Sequence, residues 1–155
     1  MGDTRVADEL EIRNLVARYA DSVLRLDTGD WLKTWAQDGE WELLGESSRG
    51  QEALAARFES LTGGLEYVMQ RMGGGIVNVE GETARGRWTI TEYARTRKGS
   101  PLFTMGAYRD DYCKEGGRWR FQRRRFSAFY MGAPDMSGTL LPVPEDLGEG
   151  LEGAE

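Results

Sequence analysis

Asp27 is the first residue placed to do proton chemistry. It follows a stretch in which Ile12, Leu15, Val16, Tyr19, Val23 and Leu26 recur at three- and four-residue spacing, the stripe of an amphipathic helix. A carboxylate one turn beyond Val23 meets the negative end of that helix's dipole, and burial opposes its charge too. Both effects raise its proton affinity and suit a general base. The plainer alternative is a solvent-facing turn residue that caps the next helix. Arg71 is the second candidate, between Met69 and Met72 and just before Gly73-Gly74-Gly75. Its guanidinium could pair with Asp27, or hold a phenolate, enolate or carboxylate, but it accepts no proton at neutral pH. Its alternative is a strand arginine that points outward.

The run Arg123-Arg124-Arg125 sits in a strand pattern, so at least one arginine must face inward, and Arg124 is the candidate. An ion pair with Asp110, Asp111 or Glu92 is its structural alternative. Trp41, Trp88, Ile90, Tyr108 and Phe126 are candidate walls for a pocket that takes an aromatic ligand, although core packing explains each one singly. Tyr19 belongs to the apolar stripe and reads more simply as core than as catalyst, though a buried phenol could donate a proton. Cys113 has no histidine to activate it and reads as inert.

Of the 155 residues none is histidine and one is cysteine. The commonest general base and the commonest metal ligand are therefore missing, and no metal or organic cofactor is expected. One cysteine also rules out an intrachain disulfide. A net charge of −6 argues against nucleic acid and anionic membranes as partners. The basic, aromatic segment 119–126 is the one contrary feature. The first ten residues hold no apolar signal-peptide run, and nowhere do about 18 apolar residues run together. The expected location is cytoplasmic.

The elements that must position these residues follow from periodicity. Helices are predicted over 4–26, 31–36 (capped by Asp30) and 50–61, with a short strand at 40–44 and a loop at 45–49. Strands are predicted over 66–80, interrupted at the three glycines, and over 82–97. A long hairpin over 102–130 turns on Lys114-Glu115-Gly116-Gly117, whose glycines supply positive φ. Strict alternation along its second arm sets Trp119, Phe121, Arg123 and Arg125 on one face, and Arg120, Gln122, Arg124 and Phe126 on the other. Residues 1–131 read as one domain, and 132–155 as a Pro/Gly-rich, acidic tail without regular structure, apart from some packing through Leu140, Leu141 and Val143. Helices first and antiparallel strands after is an α+β order. The expected product is a cone-shaped α+β barrel: a curved antiparallel sheet of four or five strands closed by three N-terminal helices, with an apolar interior open at one end. The strands carry more aromatic and arginine side chains than one interior holds, which predicts a homodimer or homotrimer.

Several short motifs recur in a telling order: the first helix ending in Asp27, Asp38-Gly39-Glu40-Trp41, Gly50 before the third helix, and Val79-Glu80-Gly81-Glu82 at a strand turn. Then come Gly106-Ala107-Tyr108-Arg109-Asp110-Asp111-Tyr112 and Gly117-Arg118-Trp119. Over residues 8–131 this pattern resembles the SnoaL-like branch of the nuclear-transport-factor-2-like (NTF2-like) superfamily. That branch is similar to scytalone dehydratase, bile-acid 7α-dehydratase and lindane dehydrochlorinase. The resemblance implies the cone fold and a catalytic Asp at Asp27. The histidine that pairs with that Asp in dehydratase-like members would fall on or beside Arg71, and this chain has none. The implied function is a cofactor-independent lyase, or an isomerase, on a small hydrophobic aromatic alcohol. Dehydration and a retro-aldol-type C–C cleavage that releases a small fragment both fit. Asp27 would be the acid–base residue and Arg71 its electrostatic partner. The alternatives are a non-catalytic small-molecule binder and an oligomeric assembly module.

Overall fold

The structure, a computed structural model, describes residues 2–151. The chain runs α1 (Gly2–Leu24), α2 (Thr28–Leu32), β1 (Trp35–Leu43), β2 (Glu46–Arg49), α3 (Gln51–Thr62), β3 (Leu65–Glu80), β4 (Thr83–Thr96), β5 (Pro101–Glu115) and β6 (Arg118–Gly132). A short 3-10 turn, Glu145–Gly148, follows. The strands form one curved sheet in the order β2-β1-β6-β5-β4-β3, and the helices cover its concave face. The expected α+β architecture is present.

Two features differ from expectation. β1 runs parallel to β6, with Glu40, Trp41 and Glu42 opposite Arg123, Arg124 and Arg125, so the six-stranded sheet is mixed. β3 to β6 form an antiparallel meander whose β6 edge would be bare, and β1 covers it in the direction that α2 delivers. The sheet is also not closed on itself: β2 and β3 remain edges, and the helices complete the cone. Residues 46–49, expected as loop, are strand β2. Leu44 and Gly45 both take positive φ, 53° and 80°, the pattern of a tight two-residue hairpin turn.

On α1, the predicted stripe Ile12, Leu15, Val16, Tyr19 and Val23 is buried against the sheet. The helix ends where Leu26 takes a φ of 54°. Asp27, not Asp30, then caps α2, and the second helix is shorter and earlier than predicted. β3 runs through the three glycines as one strand with a register shift between Met72 and Gly75. A Cβ at Gly73 would collide with Thr89, and one at Gly75 with the Trp88 ring.

The most consequential correction lies on β6. Its register against β5 slips between Arg123, opposite Asp111, and Phe121, opposite Tyr112, leaving Gln122 as an extra residue. This β-bulge resets the alternation. Trp119 and Phe121 face inward before it, and Arg124 and Phe126 after it. A second slip at Phe129 turns Tyr130 outward. The tail holds that ring: the Tyr130 hydroxyl donates to the Ala133 carbonyl at 2.5 Å and accepts from Gly138 N at 3.0 Å. Further on, Arg109 pairs with Asp146 at 3.0 Å. Leu140, Leu141 and Val143 stay exposed, so this tyrosine and this ion pair anchor the segment, where apolar packing was expected. Residues 152–155 lie outside the described residues. No described helix is long and apolar enough to cross a membrane.

Candidate functional site

β4 presents Trp88, Ile90, Glu92 and Ala94 to the concave side by simple alternation. The first two and the last are buried apolar residues. Glu92 is the exception, an acid on an apolar stripe. It lies beside a cavity of about 190 Å³ enclosed by α1, α3 and the inner faces of the strands. Tyr19, Trp41, Phe58, Ile90, Tyr108 and Phe126 form much of its wall, with Thr62, Gln70, Glu92 and Thr104 as polar members.

Cross-strand pairing positions the acid. Gln70 stands opposite Glu92, and its amide Nε2 donates to Glu92 Oε2 at 2.8 Å and, more weakly, to the Tyr108 hydroxyl at 3.4 Å. Among the described residues no group donates to the other carboxyl oxygen. Burial pushes the Glu92 carboxyl above its ordinary range, and the Gln70 hydrogen bond only partly offsets this. The phenols of Tyr108 and Tyr19 are pushed up as well, by burial first, with the nearby Arg124 charge opposing. The polar groups on the cavity wall are therefore a carboxyl with raised proton affinity, two phenols, two threonine hydroxyls and the Gln70 amide.

Deeper in the cone lies a second polar cluster. The side chains of Arg124 and Asp110 are both fully buried, and Arg124 Nε donates to Asp110 Oδ1 at 3.0 Å. The guanidinium carbon sits 3.6 Å from the Tyr108 ring centre, 4.3 Å from Tyr19 and 4.4 Å from Phe121. Those ring faces substitute for water around the cation, since its two terminal nitrogens have no hydrogen-bond partner among the described residues. Asp110 Oδ2 accepts from the Tyr112 hydroxyl at 2.7 Å, which accepts from Trp88 Nε1 at 2.8 Å. Burial raises the Asp110 carboxyl to about 6, against the pull of Arg124.

The sequence-predicted residues thus separate into groups. Tyr19, Trp41, Ile90, Tyr108 and Phe126 line the cavity. Trp88 lies beneath it, bound to Tyr112, and Arg124 is walled off behind the rings. Asp27 and Arg71 join neither cluster, nor each other. Asp27 Oδ1 accepts the Asp30 N–H at 2.8 Å as the α2 cap, Oδ2 pairs with Arg25 at 3.1 Å, and 41% of the side chain is exposed. Arg71 is exposed on the outer face opposite Thr91, because alternation gives the inward position to its neighbour Gln70. Sequence reasoning gives Glu92 only as an alternative ion-pair partner of Arg124, whose partner is Asp110, and does not reach Gln70 or Thr104. A usable signal existed for Glu92: period two from Trp88 and Ile90 carries it onto the inner face. Among the described residues, no group of three His, Cys, Asp or Glu side chains is placed to hold a metal ion.

A family model for the SnoaL-like domain matches residues 4–125. Among solved structures, the chain is similar to a variant of Rv3472, a function-unknown protein from Mycobacterium tuberculosis. The two are 27% identical over 81% of this chain and 74% of that one, with a TM-score of 0.74. A candidate scytalone dehydratase from Novosphingobium aromaticivorans is 18% identical over 85% and 91%, with a TM-score of 0.80. The hexachlorocyclohexane dehydrochlorinase LinA-type3 from Novosphingobium barchaimii is 15% identical over 92% and 100%, also at 0.80. At these identities the last two likenesses concern the fold. No curated protein shows significant similarity to the chain.

Proposed function

The chain belongs to the SnoaL-like family, and from that premise we infer that it is a cofactor-independent lyase or isomerase acting on a small hydrophobic, aromatic alcohol. Glu92 is its acid–base group. One observation carries this reading: a carboxyl whose proton affinity burial raises, with one oxygen tied to Gln70 and the other without a donor among the described residues, beside an apolar cavity. An acid so placed matches dehydration better than C–C cleavage, which must begin with a base. Glu92 gives its proton to the substrate hydroxyl, the C–O bond breaks, and water leaves. The resulting carboxylate takes a proton from the adjacent carbon as the double bond forms, and Glu92 is an acid again. Gln70 fixes the carboxyl's orientation throughout, and the phenols of Tyr108 and Tyr19 are placed to steady the leaving oxygen. The relatives described as a dehydratase and a dehydrochlorinase are consistent with elimination chemistry on this fold.

Binding without turnover is the second reading, favoured by the fact that, among the described residues, Glu92 is the only carboxyl lining the cavity. The test is Glu92→Gln. It preserves shape and one hydrogen bond but removes the transferable proton. Turnover of an aromatic alcohol should fall by roughly 10²–10⁴ while ligand affinity stays within a few-fold. An unchanged rate would sink the assignment of Glu92, and ligand binding with no turnover in the wild type would favour the binder.

Self-association belongs to the same reading. Tyr67 and Tyr93 are exposed as near neighbours on the outer face of β3 and β4, with Ile76 further along the same face, and exposed aromatic side chains there favour a homodimer or homotrimer. A light-scattering mass near 17.4 kDa would overturn it.

A further inference from the structure

Resting on the Glu92 cavity as the working site, we propose that its ligand is an uncharged single-ring alcohol or ketone, and that carboxylates and fused-ring compounds are excluded. Size argues first. The cavity measures about 190 Å³, and an apolar cavity of roughly 150 Å³ takes a benzene. One ring with a short substituent fills it, and a second fused ring does not. The wall on the α3 side does not yield, because Phe58 is 2% exposed and stacks on Trp31 at 4.5 Å. Leu61, also on α3, and Phe126 on the sheet side are only partly buried, so these two set the length.

Charge argues second. Among the described residues, no lysine or arginine lines the cavity. The one buried cation nearby, Arg124, is sealed behind the faces of Tyr19, Tyr108 and Phe121 and committed to Asp110. An anionic ligand would leave water and meet no counter-charge, a large uncompensated cost. Hydrogen-bonding capacity argues third. Tyr108, Tyr19 and Thr104 all have protons to give, and the raised proton affinity of Glu92 favours its acid form beside them. Neutral donors without a cation match a carbonyl or hydroxyl oxygen, which accepts without carrying charge.

The experiment is a binding measurement on the whole protein, by calorimetry or by the fluorescence of Trp41 in the cavity wall. The probes are benzyl alcohol and acetophenone as neutral single rings, benzoate as the charged isostere, and 2-acetylnaphthalene as the fused analogue. At neutral pH the neutral single rings should bind tighter than benzoate and than the naphthyl probe by about tenfold or more. Lowering the pH until benzoate is protonated should bring its affinity up to theirs. Phe126→Ala and, independently, Leu61→Ala should admit the naphthyl ketone while benzoate stays excluded at neutral pH, and either variant that folds suffices. Equal binding of benzoate and benzyl alcohol at neutral pH would overturn the proposal, as would equal binding of the naphthyl probe by the wild type or no binding of any probe. A wild-type protein that shows this selectivity but turns over no aromatic alcohol would defeat the lyase reading and leave the ligand class standing.

Discussion

Two acids face the concave side of the same sheet from adjacent strands, and burial raises the proton affinity of both. Asp110 on β5 lies opposite Gly86, six residues along β4 from Glu92. Their surroundings differ in one respect that matters. Asp110 has both oxygens filled from within the protein, by Arg124 and by Tyr112. Glu92, which lines the cavity, has one filled, by Gln70, and one without a donor among the described residues. A buried polar group whose capacity is satisfied internally specifies structure, and one left half-satisfied beside an opening keeps capacity for a ligand. The charged pair, which looks more like an active site in a list of residues, is the structural one. The half-satisfied Glu92 is the better chemical candidate.

Removing one half of the sealed pair should have the largest effect on stability. Arg124→Met fills similar volume but leaves Asp110 buried with no counter-charge. Breaking a buried pair from one side costs about 3–5 kcal/mol, and the loss of the cation from beneath three rings adds to it. Chemical denaturation should show this as a fall in midpoint. The double variant Arg124→Met/Asp110→Leu should recover most of the loss, since neither half is then stranded. If Arg124→Met unfolds no more easily than the wild type, Arg124 is not structural and the contrast with Glu92 collapses.

The open site should show itself in pH dependence, a smaller effect. The folded-state pKa of Glu92 lies above its ordinary 4.5. As pH rises past that ordinary value, the unfolded chain sheds its proton first, while the folded protein still holds it. The folded state then binds more protons than the unfolded, so this group's contribution to stability falls as pH rises through the window and is lost above the folded pKa. Asp110 has the same sign between 3.8 and about 6. Glu92→Gln removes only the first contribution. Its melting temperature relative to wild type should therefore climb from pH 4 to pH 8. Parallel curves would mean that Glu92 is solvated like a surface acid. Activity that needs the protonated form should be present at low pH and fade as Glu92 ionises.

How much of this was legible beforehand divides along a physical line. Periodicity exposes which residues share a face so long as the backbone stays regular, so the α1 stripe, the third helix and the long hairpin were readable within a few residues. The Gln122 bulge was not, because an extra residue in a strand leaves no mark in composition, and it decides that Arg124 shares a face with Phe121. The parallel pairing of β1 with β6 is set by tertiary packing of a nine-residue strand, for which local sequence carries no sign. Glu92 is readable too, since the Trp88, Ile90 alternation reaches it, although the family pattern points to Asp27 and Arg71 instead. That pattern supplies positions along the chain. Which of two neighbours, Gln70 or Arg71, turns inward depends on strand register.

Asp27 makes the smallest and most pointed test, because it is the acid that family resemblance favours and geometry leaves outside both clusters. It caps α2 through the Asp30 N–H and shares Arg25 with Asp21 and Asp30 in an exposed network. Loss of an N-cap to alanine costs roughly 0.5–2 kcal/mol, and an exposed ion pair adds about 0–1. Asp27→Ala should therefore lower the melting temperature by a few degrees. Asp27→Asn keeps the cap's acceptor and should lower it by less. Neither should change turnover, measured below the melting transition, by more than about twofold, since general acid–base loss is on the order of 10²–10⁴. If Asp27→Asn instead loses a hundredfold in rate at an unchanged melting temperature, Asp27 must reach the substrate in a rearranged α1–α2 turn. Leu26, held at a φ of 54°, is where that turn would have to give, and Glu92 would then share the proton transfer with the acid that resemblance first indicated.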